Sequence, residues 1–241
     1  MQEKYPHQAG AQKTLQVEIY ADLTCPWCYI GKKRLEAAFS ARPDISPHFV
    51  WRAFLLNPTM PREGMDRSAY LYAKFGHSAP AVYGRIAAAG LDSGVEFNFD
   101  AITRTPDSRA AHRMLLALEA NAEPHTGPHT GPHTGPHTGP HTGPYIEEFS
   151  EALYAAYFLQ GLDIGDMSVL EKIATRYNRP DLIAAAQHDA IDRQLENNLA
   201  DARQLRIDGV PYFVFDGKYS IAGAHLPEHL LPAIDAAAVN L

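Results

Sequence analysis

Two cysteines stand two residues apart in "ADLTCPWCYIGKKRLEAAF", and they are the only two in the 241-residue chain. Cys25-Pro26-Trp27-Cys28 follows a short apolar run and precedes a stretch with helical spacing. A thiol at the first turn of a helix meets unpaired backbone N–H groups and the positive end of the macrodipole, both of which favour a thiolate. Pro26 suits the first helical position, because its φ is preset and its missing N–H is not needed there. A thiolate so placed is a nucleophile and a good leaving group. Cys28, one turn further on, can attack a mixed disulfide formed on Cys25. The spacing thus predicts an exposed nucleophile at Cys25 and a shielded resolving thiol at Cys28.

Two other readings compete. A structural zinc site needs four ligands, so two more would have to come from His48, His77 or His112, none of which shows paired spacing. Two inert buried thiols would also satisfy the pattern, since CxxC alone is a modest signal. The placement between a strand and a helix is what dithiol chemistry requires.

The elements that must hold the pair can be read on both sides of it. "LQVEIY", Leu15 to Tyr20, alternates apolar and polar and predicts a strand. Ile30, Leu35, Ala38 and Phe39 share one helical face between Trp27 and Ala41, with Lys32, Lys33, Arg34 and Glu36 toward solvent. "ISPHFVWRAFLL" from Ile45 is β-branched and aromatic, a second strand with Pro47 near its start. Strand, helix, strand predicts a sheet with a parallel pair. From Met60 to about Leu205 the patterns are helical, in "MDRSAYLYAKFG", "APAVYGRIAAAG", "DSRAAHRMLLALEA", "IEEFSEALYAAYF", "MSVLEKIATRYN" and a single long run "PDLIAAAQHDAIDRQLENNLADARQL". Gly90 and Gly161 read as helix stops, and Asp166 as a start. "PYFVF" and "YSIAG" flank "DGK" as a hairpin, and "LPEHLLPAIDAAAV" closes as a helix despite Pro232.

Val210-Pro211 opens the first strand of that hairpin. A proline there fits a cis bond, beside which the Val210 backbone would be open to an extended substrate segment; it equally fits a trans proline starting an edge strand. Residues Pro124 to Gly143 are five tandem copies of "PHTG", with nothing apolar to bury, and predict a flexible loop between two helices.

Composition narrows the class. The chain is 46% hydrophobic and 20% charged, ordinary for a soluble domain with a real core. Its formal charge of −7 gives no basic stripe for nucleic acid. No apolar run approaches the ~18 residues of a membrane span. "MQEKYPHQAGAQKTLQ" lacks the apolar segment of a secretory signal, so a cytoplasmic protein is expected. Two cysteines in a reducing compartment are more often catalytic or metal-binding than structural.

With these pieces placed, the chain resembles the thioredoxin fold, and more closely the DsbA-like FrnE group of thiol–disulfide oxidoreductases. The resemblance rests on "DLTCPWCYIGKKRLE", "FLLNPTMPREGMDRSAYLYAKFG", "GLDSGVEFNFDAITRTPDSRAAHRML", "LYAAYFLQGLDIGDMSVLEKIA" and "LRIDGVPYFVFDGKYSIAGAHLPEHLL". It implies an α/β thioredoxin domain at 15–57 and 209–241, interrupted by a large all-helical insertion at 58–208 that carries the repeat at 124–143. It further implies Cys25 as nucleophile, Cys28 as resolver and Pro211 as the cis-proline; the aromatic Trp27 and the strand beside Val210 and Pro211 suggest an apolar, extended substrate segment. The partners implied are disulfide or dithiol proteins and, among small molecules, glutathione; no cofactor or metal is expected, and no oligomeric state is indicated. The family borders on glutathione-dependent isomerases and kappa-type transferases, which place a serine or a single reactive group where Cys25 stands. A binding protein with vestigial thiols is a third reading. One departure concerns the buried acid that many thioredoxin-fold enzymes keep six residues before the nucleophile. That position is Ile19 here, with Glu18 and Asp22 nearby.

Overall fold

The computed structural model describes residues 13–121 and 146–239. The PHTG repeat lies outside the described residues. The chain begins with strand β1 (Lys13–Ala21), helix α1 (Pro26–Ser40) and strand β2 (Ile45–Ala53), and β2 pairs parallel to β1. Near the C-terminus, β5 (Tyr212–Phe215) and β6 (Tyr219–Ala222) form a hairpin, followed by α9 (Pro227–Ala238). The sheet order is β2-β1-β5-β6, with β5 antiparallel to both β1 and β6. This is the thioredoxin-like α/β arrangement, with a largely helical segment between its halves.

The register explains why β1 sits centrally. Val17 faces Phe49 on one side and Phe215 on the other, and Ile19 faces Trp51 and Phe213. These six buried side chains share one face of the sheet and join Leu35 of α1 and Leu230 and Ile234 of α9 in the main core. The other face carries Tyr20, Tyr212 and Val214, packed with Ala202 and Ile207. Pro47 is accommodated because β2 is an edge strand, where a missing N–H breaks no second ladder. The hairpin turn places Asp216 and Gly217 both at positive φ, 51° and 64°, as a two-residue turn of that hand requires.

Between the halves lie β3 (Met65–Asp66), α2 (Arg67–Phe75), α3 (Ala79–Leu91), β4 (Arg104–Thr105), α4 (Arg109–Ala120), α5 (Ile146–Phe158), α6 (Met167–Arg176), α7 (Asp181–Ala185) and α8 (Asp189–Gln204). Three expectations need correction. The segment is not all-helical: β3 and β4 form a two-stranded antiparallel ladder, too short to leave a period in the sequence. The long run from Pro180 breaks into α7 and α8, because His188 turns extended (ψ 137°) and its ring accepts the Ala190 N–H to start a new helix. Gly90 does not stop α3 but lies within it, where a Cβ would stand 2.5 Å from the Phe97 ring. Gly161 does follow its helix, at φ 69°, and Asp166 caps α6 by accepting the Ser168 N–H at 2.8 Å.

Candidate active site

Cys25 occupies the N-cap of α1 and Pro26 the first helical position, as the sequence predicts. The turn is fixed from both ends: Cys25 N–H donates to the Asp22 carbonyl at 3.0 Å, and Cys28 N–H to the Cys25 carbonyl at 3.0 Å. Both cysteines are free thiols. Cys25 is not the exposed group expected of it. It is 4% exposed, against 2% for Cys28. Its cover comes from the other end of the chain, where the Val210 carbonyl lies 3.7 Å from Cys25 Sγ.

The Val210–Pro211 peptide bond is cis. Pro211 is buried against α1 at Gly31, where a Cβ would stand 2.6 Å from Pro211 Cγ. Only glycine lets helix and proline approach so closely. On the far side, the Pro211 carbonyl accepts the Gly223 N–H at 2.7 Å, which ties the turn to the end of β6. Trp27, between the cysteines, is 38% exposed and presents an aromatic face beside the pair. Cys25, Cys28, Trp27, Val210 and Pro211 are therefore brought together by elements nearly two hundred residues apart.

The electrostatics separate the two thiols. Burial, and then the adjoining Cys25 sulfur, push the Cys28 thiol well above its ordinary value, so it stays protonated across the neutral range. Tyr154 on α5 belongs to the same buried group and is pushed up by burial and then by the charges of Cys28 and Cys25. Behind the pair, α1 is clamped to α5 by ions. Lys32 pairs with Glu36 and, at 2.9 Å, with Glu151; Lys33 reaches Glu151 at 2.8 Å, and Tyr29 donates to it at 2.6 Å.

The buried acid near the CxxC turn is Asp22. Ile19 fills the core and Glu18 pairs with Arg52 at 2.7 Å, whereas Asp22 is 1% exposed directly beneath the CxxC turn. Burial by itself would raise its carboxyl. The facing His112 ring and the Thr24 and Leu56 N–H groups outweigh that and hold it below the usual carboxylate range. His112, considered above only as a metal ligand, is instead a core residue bonded to Trp51. Its signal was in the sequence: His112, Leu115 and Leu116 stand at i, i+3 and i+4, which puts an imidazole on the apolar face of α4.

A family model described as a DSBA-like thioredoxin domain matches residues 16–127 and 141–235. The chain belongs to this family. Among solved structures, a probable DsbA oxidoreductase from Streptomyces coelicolor is 26% identical, with 92% of this chain and 89% of that one covered and a TM-score of 0.72. A cytosolic disulfide reductase, DsbM from Pseudomonas aeruginosa, solved with GSH, is 15% identical over 94% and 96% of the two chains, at a TM-score of 0.57. A 2-hydroxychromene-2-carboxylate isomerase shares the fold at 12% identity and a TM-score of 0.58, covering 93% and 95%. No curated protein matches the chain. Family and CxxC pair together make this DsbA-like protein a thiol–disulfide oxidoreductase. No helix among the described residues is long and apolar enough to cross a membrane.

Proposed function

We propose that this DsbA-like protein exchanges disulfides with protein or small-molecule substrates through Cys25 and Cys28, as a cytoplasmic member of the FrnE group. The observation that carries the reading is the meeting of Cys25 Sγ with the Val210 carbonyl at 3.7 Å, at the head of a helix and the foot of a strand. In the reductive direction, the Cys25 thiolate attacks one sulfur of a substrate disulfide. A mixed disulfide forms and the other substrate sulfur leaves as a thiolate. Cys28 then loses its proton and attacks Cys25, so that the Cys25–Cys28 disulfide forms and the second substrate thiolate departs. The oxidative direction is the same sequence reversed.

The substrate chain runs beside Val210 and Pro211 in extended form, using main-chain hydrogen bonds for affinity and the exposed Trp27 face for apolar contact. Glutathione is the small-molecule partner; support comes from the dithiol itself and from the GSH in the DsbM structure, a neighbour in fold. The working division is a thioredoxin domain at 15–57 and 209–241 and an inserted domain at 58–208.

An insulin-disulfide reduction assay beside a glutathione-dependent isomerisation assay tests this. Reduction that vanishes in Cys25→Ser is expected. Isomerisation that survives loss of Cys28 would favour the isomerase reading, and activity in neither would favour a binding protein.

A further inference from the structure

Arg67 opens α2 and is only 5% exposed, yet among the described residues it meets no carboxylate. Its partners are hydroxyls. Nη1 donates to Thr105 Oγ1 at 3.1 Å and to Tyr157 OH at 3.2 Å, and Nη2 donates to Tyr83 OH at 2.8 Å. Burial pushes the Tyr157 and Tyr83 phenols up although the guanidinium pulls the other way, so both are neutral near pH 7. The positive charge is therefore uncompensated. Lys32, similarly sunk, holds two glutamates. A buried charge with neutral partners alone is costly, and an anion brought to it relieves that cost.

The guanidinium has donors to spare. Three of its five N–H groups are used, which leaves Nε–H and one on Nη2. Nε and Nη2 form one edge of a guanidinium, and such an edge clasps a carboxylate with two parallel bonds. One positive charge and one free edge match one negative charge on two coplanar oxygens. The Tyr83 and Tyr70 rings stand 5.1 and 5.9 Å from the guanidinium carbon, and both are half-buried, so the cluster reaches the surface.

The cluster also adjoins the cysteine turn. Tyr70 OH donates to Asn57 Oδ1 at 3.1 Å. The residue before, Leu56, donates its N–H to Asp22 at 2.7 Å, and the Asp22 carbonyl accepts the Cys25 N–H at 3.0 Å. α3, which carries Tyr83, packs on α1, and the Cys25 charge is among those that act on the Tyr83 phenol.

We propose that Arg67 is a carboxylate-binding residue of the substrate site, which holds a carboxylate of a small peptide thiol or disulfide while the sulfur of that substrate meets Cys25. The inference rests on the dithiol reading above and adds a substrate class to it.

The test mixes the reduced full chain with glutathione disulfide, which carries carboxylates, or with 2-hydroxyethyl disulfide, which carries none, and follows the loss of protein thiols. Arg67→Gln should raise the half-saturating concentration of glutathione disulfide by about tenfold or more, because a desolvated charge pair is lost. Its maximal rate should stay within threefold of native, and the rate with 2-hydroxyethyl disulfide within twofold. Equal losses with both disulfides would make Arg67 a packing residue and overturn the proposal, as would no loss with either. Should Arg67→Gln not fold, the unmodified chain decides: glutathione disulfide with its carboxyl groups esterified should need about tenfold more to half-saturate, and equal saturation by ester and acid overturns the proposal. A native chain that both disulfides oxidise without regard to their carboxylates sinks this inference alone. A native chain that neither oxidises ends the dithiol reading, and this inference falls with it.

Discussion

The Pro211 ring lies on the backbone of Gly31, with no room for a single carbon between them. Gly31→Ala would bring a methyl within 2.6 Å of Pro211 Cγ, so either the helix or the Val210–Pro211 turn must move. The expected loss is about 1–3 kcal/mol of stability, typical of overpacking. Turnover should fall as well, because the displaced turn carries the carbonyl that meets Cys25 Sγ. Thermal unfolding and insulin reduction on the one variant check both. A fully active, fully stable Gly31→Ala would mean that the contact yields without consequence.

Trapping experiments check the roles of the thiols. Cys28→Ser should accumulate mixed disulfides with substrate, since the resolving attack is gone, and Cys25→Ser should accumulate none. Mass spectrometry of non-reduced adducts reads the outcome. Adducts on Cys28 in the Cys25 variant would reverse the assignment.

Stability should depend on the redox state above neutral pH. Cys28 is held as a thiol in the folded chain, while an unfolded cysteine ionises near pH 8.5. Its contribution is fully present below that pH and is lost as pH rises toward the higher folded value. Between about pH 8.5 and 10, the reduced protein should therefore lose stability that the disulfide form keeps. Denaturant titrations of both forms at pH 7 and pH 9.5 measure the difference; parallel changes in the two would contradict it.

Asp22 gives the opposite sign. Its carboxyl is held below the usual range, so its contribution is present above the unfolded value of about 3.9 and is lost as pH falls through the folded one. The stability gap between the native chain and Asp22→Asn should be full at pH 6 and shrink below pH 4. A gap independent of pH would show that the charge of Asp22 contributes nothing to folding.

Glu151 links α1 to α5 through Lys32, Lys33 and Tyr29. Glu151→Gln should cost about 1–2 kcal/mol, discounted because Glu151 is partly open to solvent. For a domain of this size that is roughly 2–8 °C in Tm. Calorimetry of the reduced protein measures it, and no change would leave the clamp energetically idle.

Much of this was legible in the residues, because each legible feature is local. The "DGK" turn, the alternation of "LQVEIY" and the cap at Asp166 act within a few residues of themselves, and each stands where the sequence places it. The break at His188 was missed because "AAAQHDAIDRQ" has helical composition throughout, and only the backbone shows the imidazole capping a new start. The β3–β4 ladder was missed because two residues hold no period. Cys25 was expected in the open because its cover is Val210, a contact that no local pattern encodes. Asp22 and His112 were each visible as single residues. Their partnership depends on α4 crossing beneath the CxxC turn, and that is a matter of topology.

The cover on Cys25 comes from a residue 185 positions later in the chain. At about 5–20 residues per second, a ribosome needs roughly 10–40 s to make that stretch. Until then β1 has no β5 to pair with, and the Cys25 sulfur lacks the Val210 carbonyl that covers it in the finished fold. The finished molecule guards a sulfur that the growing one leaves bare, so the oxidation state in which this protein is born is set by the compartment during synthesis, before its own fold has any say.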